Sequence, residues 1–398
     1  MIVQPKVKGF MCTTAHPAGC KAAVQNQIDY VKAQPKTEGP KKVLVIGASM
    51  GYGLASRIAA TYSCGADTIG VIFDKPGKEK RTASAGWYNT AAFEEIATAE
   101  GYYAKSVNGD ANAQEIKDQV IDLIQKDWGK ADMVIYSVAA PRRKAPDGTT
   151  YRSVLKTIGQ PYTNQTIDLM TNEISEVTIE PATPEEVQAT VKVMGGEDWK
   201  LWMQALKDAG VLADGAKTVA YSYIGPELTH PIYYDGSIGQ AKQDLYQTAD
   251  DMNGNMDGVE AYVSVNKAVV TQSSAAIPIV PLYISLLFKI MKEKNLHEGC
   301  IEQMYRMFHD RLCKEKVITD DNRLIRMDDY EMRPEVQQAV MDLWNQVSQD
   351  NIEDIGDVDG YWQDFYEIFG FQIEGVDYGE DMNIQGGIPS IRESNTPQ

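Results

Sequence analysis

The sequence predicts an α/β fold, a doubly wound parallel sheet with helices on both faces. Two observations carry that expectation. Between Lys42 and Ala140 short apolar runs alternate with helical stretches, as in strand–helix–strand units. The run Val43–Ile46 is apolar without alternation, as a strand buried on both faces must be.

The elements follow in order. Residues 1–41 read as a strand-like start, a turn at His16-Pro17-Ala18-Gly19 and a helix near Ala22–Ala33. Strands are expected at Val43–Ile46, Thr68–Phe73, Tyr103–Val107 and Met133–Val138. Helices are expected near Gly53–Tyr62, Thr90–Glu100 and Ala113–Trp128. Residues 141–182 break the rhythm and read as an inserted hairpin, Gln165–Met170 against Ile174–Ile179. Thr183-Pro-Glu-Glu186 opens a helix, with Thr at the N-cap, Pro at the first helical position and Glu two residues further on. Strands near Thr218–Ser222 and Ala261–Val265 flank a helix carrying Lys242, and helices continue through Lys294. With no long linker or repeat, residues 1–398 read as one domain. Its parts are a dinucleotide-binding half at 42–140, an insertion and catalytic half at 141–330, and C-terminal helices with a polar tail at 331–398.

Composition excludes several classes. A net charge of −18 on 398 residues argues against a nucleic-acid or anionic-membrane binder. The cysteines at 12, 20, 64, 300 and 313 show no CxxC spacing, so a reducing, cytoplasmic compartment is expected and no metal site. The histidines at 16, 230, 297 and 309 lack metal-ligand spacing too. The longest apolar stretch, Ala275–Phe288, is too short to span a bilayer. A monomer or weak oligomer is expected.

Val43-Leu-Val-Ile is followed at once by Gly47-Ala48-Ser49-Met50-Gly51-Tyr52-Gly53. Gly47 allows a sharp turn, Gly51 a close approach of backbone to a pyrophosphate, and Gly53 tight helix–strand packing. The phosphates of a dinucleotide would sit at the helix N-terminus, where free N–H groups point outward. Between a strand and a helix the pattern reads as the phosphate turn of a Rossmann-type sheet, or as an ordinary tight turn of an α/β fold. Phe73-Asp74 ends the next strand. An acid there can accept ribose hydroxyls and repel a 2′-phosphate, which favours NADH over NADPH, or it is a solvated turn residue. Lys75, Lys78, Lys80 and Arg81 follow and oppose that exclusion. Asp110-Ala111 ends the third strand and Val138-Ala139 the fourth, where adenine and nicotinamide ribose would lie.

Tyr233 and Lys242 supply a phenol and an ammonium for proton transfer. Nine residues at about 100° each place them on opposite faces of a continuous helix. A working pair therefore needs Tyr233 in a loop ahead of the Lys242 helix, and Gly236 and Gly239 supply the break. Tyr234 is a competing donor. A nearby Lys242 would favour the ionised phenol. His230 reads as loop structure or a proton-transfer group, Glu197 and Asp198 as helix caps. Val280, Ile284 and Phe288 form an apolar stripe, either core or an acyl-chain wall. Arg142-Arg143-Lys144 reads as a solvated cluster or as a partner for phosphates.

The glycine turn, the acid after the second strand and the Tyr…Lys pair resemble the short-chain dehydrogenase/reductase superfamily. That superfamily commonly spaces the pair four apart, and its enoyl-acyl-carrier-protein reductase branch seven. A spacing of nine is similar to the trans-2-enoyl-CoA reductases and V-type enoyl-acyl-carrier-protein reductases. Ala85–Asn89, Tyr136–Arg143, Val193–Trp199, Ala220–Pro226, Gly236–Lys242, Val265–Thr271 and His297–Gln303 carry the same resemblance.

The resemblance implies NADH-dependent reduction of the C2=C3 bond of an enoyl thioester, on CoA or on acyl-carrier protein; no flavin motif is evident, so hydride is expected to pass directly from nicotinamide to substrate. It assigns Gly47 to Tyr52, Phe73, Asp74, Asp110, Ala111, Val138, Ala139 and Lys242 to the cofactor. Val269, Val270 and Thr271 lie beside the nicotinamide, Tyr223 binds the thioester carbonyl, and Tyr233 donates the proton. Read from the residue alone, the alternative for Tyr223 is a core aromatic with a satisfied hydroxyl. Asp74 stands where the family often has the longer Glu, and Ser237 where Thr is frequent.

Overall fold

The structure is a computed structural model that describes residues 1–8, 11–271, 274 and 277–394. Strands β1 (Val7–Lys8) and β2 (Met11–Cys12) lead to helix α1 (Pro17–Ala33). The expected alternation follows as β3 (Lys42–Ile46), α2 (Gly51–Cys64), β4 (Asp67–Ile72), α3 (Ala85–Ala99), β5 (Ala104–Asn108), α4 (Gln114–Asp127) and β6 (Ala131–Tyr136). Two hairpins come next, β7 (Arg142–Lys144) with β8 (Thr150–Arg152) and β9 (Tyr162–Asp168) with β10 (Glu173–Ile179). Then come α5 (Pro184–Met194), α6 (Glu197–Asp208), β11 (Leu212–Ser222), α7 (Ser237–Asn255) and β12 (Val259–Val265). The chain closes through α8 (Val280–Glu293), α9 (Cys300–Arg306), a π-helical turn at Met307–Leu312, β13 (Leu324–Arg326), α10 (Pro334–Trp344), α11 (Ile352–Ile355), α12 (Val358–Glu367) and α13 (Pro389–Ser394).

Among the described residues one seven-stranded sheet runs β13-β12-β11-β6-β3-β4-β5, parallel throughout. The chain starts at β3, moves outward to β5 and returns to β6 on the other side. That reversal opens a crevice at the C-terminal ends of β3 and β6. Alternate residues of β3 serve two cores. Val43 and Val45 pack with α1, α2, α8 and α9, while Leu44 and Ile46 pack with α4, α6 and α7. No helix among the described residues is long and apolar enough to cross a membrane.

Several local expectations are corrected. The turn at His16–Gly19 is the start of α1: the His16 Nδ1 accepts the Gly19 N–H at 3.1 Å and Pro17 takes the first helical position. α3 begins at Ala85, five residues before the expected start near Thr90, because the backbone absorbs Gly86 rather than breaking there. The short β7–β8 pair carries too little pattern to be legible. The stripe Val280, Ile284 and Phe288 is buried in the core. The Ala275 and Ala276 that open the apolar stretch, and the last four residues of the tail, lie outside the described residues.

Candidate active site

The glycine turn caps β3 in the geometry its residues demand. Gly47 has φ +85, and a Cβ there would collide with the Ser137 carbonyl. A Cβ on Gly53 would collide with the Gly47 carbonyl, so α2 sits close against the turn. Gly51 has φ +53 with open space where its Cβ would be. Met50, at the N-cap of α2, makes no side-chain cap bond. The first turn therefore presents its N–H groups outward, which fits a pyrophosphate. Tyr52 points inward: its hydroxyl donates to the Lys267 carbonyl at 2.6 Å, tying the turn to the segment after β12.

At the end of β4, Asp74 Oδ1 accepts from Ser84 at 2.8 Å. Its Oδ2 is buried with no partner. Burial raises this carboxyl, and the nearby Ser49 and Ser84 hydroxyls oppose the shift. An orphaned carboxylate oxygen beside a phosphate turn fits a ribose diol. Gly86 leaves the room, since a Cβ there would press on the Asp74 carboxylate and on Ser49. Asn89 Nδ2 holds the Ser49 carbonyl at 3.2 Å. Phe73 is 77% exposed, a flat apolar surface in solvent next to this acid. Asp110 holds its own loop through Asn112, and the Ala111 carbonyl accepts from Lys117 and Trp202. Val138 and Ala139 follow β6 at the partly open edge of the crevice.

Tyr233 lies in a turn between β11 and α7, and Lys242 in the second turn of α7. Gly236 is the N-cap, and a Cβ on Gly239 would collide with the Tyr234 carbonyl, so the turn folds back onto the helix. Ser237 fixes the helix start through Val154 and Lys156. His230 bonds the Gly225 carbonyl at 3.0 Å, a structural contact. The Tyr233 ring meets Tyr223 edge-on at 5.1 Å, and its hydroxyl makes no hydrogen bond among the described residues.

Two electrostatic expectations change here. Lys242 donates to the Tyr221 carbonyl at 3.0 Å and not to Tyr233. Burial pushes the Tyr233 phenol up, with Tyr246 adding to the shift, so an ammonium does not draw it towards ionisation. Burial lowers Lys242 to about 8.

Val269, Val270 and Thr271 follow β12, the two valines buried and Thr271 bonded to Ser274. Tyr223 is half-buried, and its hydroxyl donates to Glu331 at 2.9 Å. Sequence reasoning missed Glu331. It lies far along the chain in an irregular stretch, and the one available signal was an acid within Tyr330-Glu-Met. The Arg142–Lys144 cluster divides: Arg142 and Lys144 are exposed, while Arg143 is buried against Glu197 and the Lys192 carbonyl. Asp198 is no cap. It is buried against Lys117 at 2.9 Å and Tyr136 at 3.0 Å.

Residues 81–313 match the family model described as the trans-2-enoyl-CoA reductase catalytic region, and residues 2–79 that of the NAD(P)H binding domain of trans-2-enoyl-CoA reductase. Residues 319–382 match a model described as an enoyl reductase FAD binding domain. A trans-2-enoyl-CoA reductase (NADH) of Ruminiclostridium cellulolyticum is 58% identical over 98% of this chain and 100% of its own. An enoyl-acyl-carrier-protein reductase (NADH) of Coxiella burnetii is 57% identical over 98% of each chain. The crystal structure of Treponema denticola trans-2-enoyl-CoA reductase in complex with NAD superposes with a TM-score of 0.93 at 47% identity, over 96% of this chain and 98% of that one. The part of this match that runs from β13 into α10 offers no glycine turn of the kind that holds a dinucleotide's pyrophosphate. No glycine lies between Gly299 and Gly356, so β13 runs into α10 without a phosphate turn.

Proposed function

The chain belongs to the trans-2-enoyl-CoA reductase family, and on that premise we propose that it reduces the C2=C3 double bond of a trans-2-enoyl-CoA. NADH, when bound, supplies the hydride for C3. The backbone of Gly47–Tyr52 would hold the pyrophosphate, Asp74 the adenosine ribose, and Phe73, Asp110 and Ala111 the adenine end. Val138, Ala139, Lys242 and Val269–Thr271 would hold the nicotinamide end. As the double bond is reduced, negative charge develops on the thioester oxygen. Tyr223 would stabilise it by turning its one proton from Glu331 to that oxygen, and Tyr233 would deliver the proton that completes the saturated chain. A phenol raised by burial stays protonated at neutral pH, as a donor must.

The observation that carries this reading is the Tyr233 hydroxyl. It is unpartnered among the described residues, on a glycine-bounded turn whose ring packs on Tyr223. The same chemistry on acyl-carrier protein is the second reading, favoured by relatives bearing both names. Turnover of crotonyl-CoA against crotonyl-carrier protein separates them. Faster use of the CoA ester is expected, and equal or better use of the protein-bound ester would move the function to fatty-acid synthesis. Reduction of 3-ketoacyl thioesters in place of enoyl thioesters would refute both.

The reading places all described parts in one reductase domain, supported by the larger of its two cores, which reaches from Val3 to Ile388. It places the protein in the cytoplasm, supported by five cysteines that form no disulfide, with a monomer or weak oligomer as the expected state.

A further inference from the structure

Cys64 and Cys313 lie far apart along the chain and meet at Gly39. Cys64 is the last residue of α2, at the opposite end from the phosphate turn. Cys313 caps the π-helical turn at Met307–Leu312, and its N–H donates to the Phe308 carbonyl at 3.1 Å. A Cβ on Gly39 would lie 2.8 Å from the Cys64 Sγ and 2.9 Å from the Cys313 Sγ. Both sulfurs therefore press on the one residue between α1 and β3 that carries no side chain. Cys64 is 3% exposed, whereas Cys313 is half-buried and partly open to solvent.

Their surroundings give the two thiols different chemistry. The Cys64 thiol, with Lys217, Lys314 and Lys41, holds the Cys313 thiol below its ordinary value against the opposing effect of burial. The Cys313 contact and burial push Cys64 up. Burial also pushes Cys20 and Cys300 up, away from the reactive thiolate. We propose that Cys64 and Cys313 are an oxidisable dithiol, a modification site apart from the reductase centre: hydrogen peroxide attacks Cys313, and Cys64 resolves it as a disulfide. In the first step the Cys313 sulfur gives an electron pair to peroxide. An S–O bond forms, the O–O bond breaks, and the hydroxide released leaves as water with the thiol proton. In the second step the Cys64 sulfur attacks the Cys313 sulfur. The S–S bond forms, the S–O bond breaks, and the oxygen leaves as water with the Cys64 proton. Two electrons pass from sulfur to peroxide. A reducing compartment keeps both thiols reduced at rest, and the bond that peroxide forms pins the end of α2 to the end of the π-helical turn.

Thiol counting and peptide mapping test it. The folded, fully reduced protein is treated with a small excess of hydrogen peroxide, quenched with a thiol-alkylating reagent and digested. Wild type is expected to fall from five free thiols to three, with the Cys64 and Cys313 peptides joined and two hydrogens lighter, and dithiothreitol is expected to restore all five. Cys64→Ser is expected to leave a sulfenic acid on Cys313 that dimedone traps, and Cys313→Ser to keep its four thiols. Wild type that retains five thiols would overturn the proposal, as would thiols lost to sulfinic acid without a crosslink. A disulfide that joins either cysteine to Cys12, Cys20 or Cys300 would overturn it too. Thiol loss from Cys313→Ser at the wild-type rate would do the same, by making Cys313 dispensable. If either variant does not fold, the wild-type map decides the proposal without it.

Discussion

A phenol and an ammonium divide the work at the residue scale. Tyr233 keeps its proton because burial holds the phenol high, and Lys242 points at a backbone carbonyl. Tyr233→Phe is expected to leave NADH affinity within about twofold while abolishing turnover, measured by fluorescence titration and NADH oxidation. Retained turnover would remove Tyr233 from the reaction. Lys242 titrates at about 8, below an ordinary lysine, so its charge is present below that pH and lost as pH rises through it. NADH, an anion, is then expected to bind more weakly above about pH 8, and Lys242→Met should flatten that step. Asp74 offers a buried oxygen without a partner. Asp74→Ala is expected to raise the NADH dissociation constant about tenfold and narrow the preference over NADPH.

At the scale of elements, the strand–turn–helix unit at β3–α2 was the most legible part of the chain. Its apolar run and its glycines serve one purpose each, and the structure uses Gly47 for the sharp turn and Gly53 for close helix packing, as the spacing requires. Gly53→Ala is expected to cost about 2 kcal/mol and abolish NADH binding, because backbone, not a flexible side chain, occupies the space. The start of α5 was equally legible, and its capping box forms as Thr183 and Glu186 predict. Thr183→Ala should cost about 1 kcal/mol in chemical denaturation and leave kcat unchanged. The turn carrying Tyr233 followed from its distance to Lys242. The early start of α3 did not: only the packed Asp74 carboxylate shows why a glycine stands in a helix there. Glu331, Asp198 and Arg143 were illegible for a common reason. Each is a charged residue in a polar stretch, and its burial is set by partners distant in sequence.

Across the whole molecule, parallel strand order brings the site together. The reversal at β3 and β6 gathers the glycine turn, Asp74 and the segments after β11 and β12 at one edge of the sheet. Tyr52 and Glu331 tie those segments to one another. The net charge of −18 acts on the molecule's encounters. CoA is also an anion, so screening should help it approach, and the KM for crotonyl-CoA is expected to fall from low to physiological ionic strength. A rising KM would mean that an exposed cation such as Arg142 or Lys144 dominates CoA capture instead. The central claim is direct hydride transfer to C3, with the proton supplied from Tyr233. Reduction of crotonyl-CoA with NADH carrying deuterium at the transferable position tests it most directly. The expected product is butyryl-CoA with the deuterium at C3. Deuterium lost to water, or found at C2, would contradict it.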